Sequence, residues 1–370
     1  NIKHIWDDKK RNCRFCGARY DIYEKSISLE NHAYQFIHNF SEDKIFKKDM
    51  KFDVIVGNPP YQLKDGGHEA SAKPIYHLFV DQAKKLNPKY LSMIIPSRWF
   101  TGGKGLDEFR DNMLNDKRIR VIHDFLDASE CFGNGVSIKG GVCYFLWDRD
   151  NEGECNVVTH DKGEIISNKT RPLLEENFDT FIRYGDAIPI IKKIKKENKK
   201  SFTDLVSPRK PFGISTDFKG KTKPTINSIK IYQNKGIGYI DPSIIKLNND
   251  LVNKHKVIVP YAVGSGDSKT DIIKPIYSEP GSCNSETYLT IGPFKSKKEC
   301  LNVMSYIKTK FFHFLITLKK NTQHTTRNVY EFVPIESFDN EITDKILYKK
   351  YKLEKKEIEF IENLVHPDND

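Results

Sequence analysis

Residues 52–61 read FDVIVGNPPY, and the rest of the chain is best interpreted outward from them. Asp53, Val54, Ile55 and Val56 form a short apolar, β-branched run, the pattern of a fully buried parallel strand. Gly57 ends it, and Asn58-Pro59-Pro60-Tyr61 follows as a stiff loop at its carboxyl end, the edge where open α/β sheets bind ligands. Two consecutive prolines fix two φ angles and remove two backbone donors. The loop is therefore pre-set in shape, and its carbonyls are left to accept hydrogen bonds from something else. The Asn58 amide oxygen and the Pro59 carbonyl can together accept both hydrogens of an exocyclic amino group. Tyr61 beside them offers a flat face on which a base stacks. The set suits an adenine extruded from its duplex; the plainer reading is a loop whose prolines only terminate a strand.

An Asn-Pro-Pro-Tyr loop after an apolar strand resembles the catalytic motif of adenine-N6 DNA methyltransferases. The likeness covers about residues 50–150. Three later stretches, GGVCYFLWDRD (140–150), SPRKPFG (207–213) and TQHTTRNVYEFVP (322–334), resemble segments of long adenine methylases from restriction–modification systems. Some of those fuse methylation and cleavage in one polypeptide. The resemblance implies an α/β fold: the catalytic half of a Rossmann-like, S-adenosylmethionine-dependent methyltransferase sheet, followed by a mixed α/β target-recognition domain. It implies Asn58, Pro59, Pro60 and Tyr61 as catalytic residues and double-stranded DNA as partner. A restriction endonuclease domain or subunit would accompany it. Ser97, Arg98 and Trp99, after the next strand, would border the catalytic pocket, and Ser137, Ile138 and Lys139 would face the target base. For the aromatics Trp99 and Phe100, simple core packing is the competing reading.

A complete enzyme of this kind needs a Gly-rich loop after its first strand for the methionine end of S-adenosylmethionine, and an acidic residue after the second for the ribose. Neither occurs in a suitable setting. Gly66-Gly67 and Gly102-Gly103-Lys104-Gly105 both follow the catalytic loop. The expectation is therefore the C-terminal part of a longer methylase or fused restriction–methylase, inactive as an isolated piece. A non-catalytic DNA-binding or specificity module derived from such an enzyme accounts equally for the missing loop.

Composition narrows the partner. The 370 residues carry a net charge of +10, with a pI near 9.0 and a mean hydropathy of −0.58. The length suggests two or three domains and a substantial core. Basicity favours a polyanion, though it would also suit a membrane surface; no apolar run is long enough to span a bilayer as a helix. No signal-peptide pattern is visible, and the 7 cysteines lack a dense disulfide spacing, so a cytoplasmic location is expected.

In chain order, four segments are expected: 1–48, 49–185 (methyltransferase), 186–335 (target recognition) and 336–370 (a helical tail). The first carries Cys13, Cys16, His32 and His38 in a C-x2-C-x15-H-x5-H spacing, close to a structural zinc pattern. The alternative is a reduced cysteine pair in a turn with two ordinary helix histidines. Residues 62–72 are expected to be mobile and to close over the base. Helices are expected at 73–86 and 106–115, strands at 90–96 and 119–125, and a hairpin over 136–147 with Gly140-Gly141 at its centre. His123 reads as a strand residue rather than a catalyst. The run DAIPIIKKIKKENKK (186–200) marks a boundary or a solvated helix.

Short β-like runs follow at 229–232, 237–240 and 256–260. Arg209 and Lys210 sit with Phe212 in a turn, as phosphate or base contact needs. Residues 297–319 read as one long helix. Gln323, His324 and Arg327 then lie in a polar, cationic loop suited to DNA backbone or base edges; the alternative is a solvated connection.

Overall fold

The computed structural model describes residues 5–7, 12–14, 16, 18–20, 33–38, 50–63, 73–133, 136, 138–176, 178–263, 272–320 and 323–365. The chain divides into two units, Asn1–Gly185 and Asp186–Asp370.

The first unit contains α1 (Ala33–His38), β1 (Val54–Gly57), α2 (Tyr76–Lys85), β2 (Tyr90–Pro96), α3 (Asp107–Asn115), β3 (Ile119–Phe125), α4 (Ser129–Phe132), β4 (Val142–Asp148), β5 (Cys155–Asp161) and β6 (Glu164–Arg171). Its strands form one mixed sheet in the order β1-β2-β4-β3-β5-β6. The pairs β1–β2 and β3–β5 are parallel, whereas β4 runs antiparallel to both its neighbours. Strand periodicity sends Leu91, Met93, Ile95, Ile122, Cys143, Phe145 and Trp147 to one face. There they pack with Tyr76, Val80 and Ala83 of α2 and Phe109 and Met113 of α3. The α/β class expected from the sequence is the one observed.

Two expectations need correction. The strand at 54–57 is not fully buried: Val54 is 55% and Val56 75% exposed. In this sheet β1 stands at an edge with β2 as its neighbour, and only Ile55 packs onto the core. The Gly140-Gly141 pair is not the centre of a hairpin. It precedes a single strand, β4, which inserts between β2 and β3. Gly141 has φ +80°, and a Cβ there would collide with the Phe125 carbonyl oxygen, so glycine serves a close backbone approach. In this unit a hairpin joins β5 to β6. His123 lies in β3 as expected, its ring stacked on Tyr144 at 4.7 Å and its Nδ1 2.9 Å from His160 Nε2.

The second unit contains α5 (Ala187–Glu197), β7 (Ile229–Gln233), β8 (Gly236–Ile240), β9 (His255–Pro260), β10 (Ile276–Ser278), β11 (Ser282–Asn284), β12 (Tyr288–Phe294), α6 (Lys297–Ile307), α7 (Lys310–Thr317), α8 (Asp344–Lys350) and α9 (Lys355–Leu364). Two three-stranded sheets, β10-β9-β12 and β11-β7-β8, form its β portion. The lysine-rich run is amphipathic helix α5, burying Ile188, Ile190, Ile191 and Ile194. The single helix expected over 297–319 is two, because Thr309 adopts extended backbone and its side chain caps α7 by accepting from Phe312 N. Among the described residues no helix is long and apolar enough to cross a membrane.

His313 on α7 is 3% exposed. Burial, and then the Lys320 charge, hold its pKa down at about 4. The unfolded chain takes up the same proton near pH 6.5, so the depressed native value contributes stability that is complete above about 6.5 and is lost as pH falls toward 4. The loss expected over that window is about 3 kcal/mol. Urea unfolding from pH 7 to 4.5 should show this slope in the native chain and a flatter one in His313→Leu; equal slopes would contradict it.

Candidate active site and nucleic-acid contacts

Because Gly57 pairs with Met93, the chain leaves β1 alongside the last residues of β2. Asn58 is exposed, Pro59 buried and Pro60 half-buried. Among the described residues, no main-chain donor outside the strand ladder reaches the carbonyl of Asn58 or Pro59. The chain then turns back through a short ladder. Ile75 N donates to Tyr61 O at 3.1 Å, Leu63 N to Lys73 O at 3.1 Å, and Gln62 bridges Pro74. This ladder delays the start of α2 to Tyr76. Of the expected closing loop 62–72, Gln62 and Leu63 are held in this ladder, and residues 64–72 lie outside the described residues.

Tyr61 is half-buried and packs on the first unit's core, edge-on to Phe132 at 6.4 Å. Its hydroxyl is buried with no partner among the described residues. Burial, with smaller contributions from Cys143 and Cys131, pushes its ionisation well above the usual phenol range, so it stays neutral. The ring is thus a partly covered platform rather than a free one.

The segment after β2 departs from expectation. Ser97 and Trp99, expected beside the catalytic pocket, are both buried among the described residues. The 3-10 turn Ser97–Thr101 turns them inward: Trp99 is 0% exposed, donates Nε1–H to Cys143 Sγ at 3.4 Å and packs against Phe100 and Phe109. Ser97 Oγ donates to Asp124 Oδ1 at 2.7 Å. Arg98 alone of the three stays half-exposed. Asp124, fully buried, also receives both arms of Arg183, Nε to Oδ2 and Nη2 to Oδ1, each at 2.6 Å. Sequence reasoning missed this trio, although an Asp inside the apolar run IRVIHDF was a visible signal. Lys139 is exposed beside the Gly140-Gly141 turn, and Ser137 lies outside the described residues.

The described residues do not supply the whole of an S-adenosylmethionine site. In the Gly102–Gly105 run, Gly103 N donates to Asp107 Oδ1 at 2.7 Å, and a Cβ at Gly102 would collide with that carboxylate. These glycines shape the entry to α3 rather than a cradle. Among the described residues no other Gly-rich loop follows a strand with an acidic partner beyond it.

In the second unit three of the expected contact residues gather around Tyr261, which sequence reasoning did not single out. Val263 N donates to Gln323 O and Thr325 N to Tyr261 O, each at 2.8 Å. His324 stacks on the Tyr261 ring at 4.8 Å, and the Arg209 guanidinium lies 4.9 Å from the same ring. Arg209 Nε is 3.5 Å from Glu286 Oε2. Burial first, then the Arg209 charge, lower the His324 pKa. Lys210 is exposed, with φ +62°. Phe212 is buried in the core instead of joining the contacts. Arg327 Nε donates to Thr203 O at 3.0 Å, and the side chain is otherwise exposed.

Of the four expected zinc ligands, Cys13, Cys16 and His38 converge, their ligand atoms all within 4.8 Å of one another. His32 lies outside the described residues.

Residues 1–132 match the family described as Eco57I restriction-modification methylase. Over 162 residues the chain is 41% identical to an uncharacterized adenine-specific methylase of Mycoplasma pneumoniae, a match covering 41% of this chain and 38% of that protein. The matched stretch thus spans well under half the length of the curated relative. Among solved structures, the chain is similar to the type IIL restriction-modification enzyme MmeI in complex with DNA (10% identity, 85% of this chain and 55% of that one, TM-score 0.45). It is also similar to the type IIG restriction endonuclease BpuSI (11% identity, 86% and 52%, TM-score 0.36). The resemblance is borne out at the level of the family: residues 1–132 match the Eco57I restriction-modification methylase family, and they lie in the unit built on the six-stranded mixed sheet.

Proposed function

We propose that this chain carries the part of a site-specific adenine-N6 DNA methyltransferase that receives the target base, within a restriction–modification system. The observation that carries the reading is the exposed Asn58 side chain next to a Pro59 carbonyl that takes no main-chain donor among the described residues, at the carboxyl end of a parallel strand, in a segment matching a methylase family. The Asn58 Oδ1 and Pro59 carbonyl accept the two hydrogens of an extruded adenine's amino group. That aims the nitrogen lone pair away from the loop. Tyr61 stacks on the base, a contact worth about 1–3 kcal/mol. No side-chain base is required before transfer, because the product nitrogen can shed its proton afterwards. S-adenosylmethionine would supply the electrophilic methyl group; no described residue is assigned to it.

Residues 49–185 are the catalytic region in this reading and 186–335 the target-recognition region. Arg209, Lys210, Gln323, His324 and Arg327 contact DNA, with a restriction endonuclease domain or subunit as the associated activity and the cytoplasm as the site of action. Arg209→Ala should weaken duplex binding several-fold irrespective of sequence and lower the slope of log K against log salt by about 0.9. An unchanged salt slope in a fluorescence-anisotropy titration would remove Arg209 from the phosphate contacts.

The competing reading, a non-catalytic specificity module, draws on the poor fit to the cofactor. The protein itself decides between them. Incubated with duplex DNA and methyl-labelled S-adenosylmethionine, it should yield N6-methyladenine on nucleoside analysis. Salt-sensitive DNA binding without methyl transfer would favour the module.

A further inference from the structure

Cys13, Cys16 and His38 reach one point from separate segments. Isolated bridges pair Trp6 with Cys13 and Asn12 with Arg19. Cys13 N donates to Ala18 O at 2.7 Å and Arg14 N to Ile5 O at 2.8 Å. His38 closes α1. Cys13 Sγ lies 3.7 Å from His38 Nε2, and the Cys16 thiol completes a triangle with all edges within 4.8 Å. Tetrahedral zinc, with Zn–S near 2.3 Å and Zn–N near 2.0–2.1 Å, separates its donors by roughly 3.5–3.8 Å. The triangle needs little contraction to match. No disulfide joins Cys13 and Cys16, and both are almost completely buried, at 3% and 1% exposure. Two thiolates and an imidazole select zinc over the hard, oxygen-seeking cations.

The surroundings indicate what the ion would do. The cysteines belong to a small apolar cluster with Ala18, Ile37, Leu63, Ile75 and Phe79. Leu63 and Ile75 are two of the residues whose main-chain hydrogen bonds close the ladder after Tyr61. We propose that Cys13, Cys16 and His38 supply three of the four ligands of a structural zinc ion that staples the Cys13/Cys16 pair to α1 and, through that cluster, braces the chain just beyond Asn58-Pro59-Pro60-Tyr61. The ion fills a role that so small a cluster is too thin to fill alone. The proposal is independent of the methylase reading, since it concerns metal content and local folding.

The test is the metal content of the full 370-residue chain, expressed with added zinc and dialysed exhaustively against metal-free buffer. About one zinc per chain is expected, falling below about one fifth in Cys13→Ser and in His38→Ala. Because a variant can lose metal by failing to fold, the unaltered chain is also reconstituted with cobalt(II). Thiolate-to-cobalt charge-transfer bands with tetrahedral d–d absorption are expected. Chelator treatment should expose residues 1–40 to protease, reversed by zinc and not by magnesium. A zinc-free native chain without cobalt thiolate bands, or Cys13→Ser with a full complement of zinc, would overturn the proposal and leave a reduced cysteine pair packed in a turn.

Discussion

Asn58→Ala is expected to lower methyl transfer by the complete enzyme by about two to three orders of magnitude, with duplex affinity changed little. The side chain is exposed at the end of β1, so its removal opens no cavity and the fold should persist. In the proposed reading, what is lost is one of two acceptors for the adenine amino group. The Pro59 carbonyl alone holds one hydrogen and leaves the nitrogen free to rotate out of line. Asn58→Asp keeps an acceptor oxygen and should retain more activity than Asn58→Ala. Single-turnover methylation together with an anisotropy measurement of DNA binding separates these effects. Wild-type turnover in Asn58→Ala would remove the residue from the mechanism.

The largest expected effect on stability belongs to Arg183→Met, about 3–5 kcal/mol. Asp124 is 0% exposed and its partner's side chain only 14%, and the pair is held by two 2.6 Å hydrogen bonds. Removing the guanidinium strands a carboxylate in the core with only the Ser97 hydroxyl to satisfy it. Asp124→Asn should also destabilise, because it leaves a buried guanidinium without its counter-charge. The double variant Asp124→Asn/Arg183→Met removes both charges and should cost less than the two single losses added together. Urea unfolding of the four proteins closes the cycle; strictly additive losses would show that the pair is not coupled. Ser97 heads the turn that follows β2, the direct neighbour of β1. Loosening the pair should therefore also lower activity at Asn58.

Several elements were legible because a local pattern decides them. The runs that became β2 and β3 are β-branched and apolar, α3 has helical period, and the isoleucines of α5 fall on one face whatever the lysines between them do. Other readings failed where one local pattern serves two tertiary purposes. Gly140-Gly141 suits a hairpin turn or a close backbone approach, and the Phe125 carbonyl decided for the second. Residues 297–319 are apolar enough for one helix, but Thr309 satisfies the start of a second. Trp99 reads equally as pocket wall or core until Phe109 and Cys143 are placed around it.

The restricted shape of the Asn58-Pro59-Pro60-Tyr61 loop was determined by the sequence alone, because two consecutive prolines set its backbone and remove two donors. The exposure of β1, the Tyr261 platform joining Arg209 to His324, and the convergence of Cys13 and Cys16 on His38 were decided by tertiary structure. Each depends on segments far apart in the chain arriving at the same place, and no spacing along a sequence measures that distance.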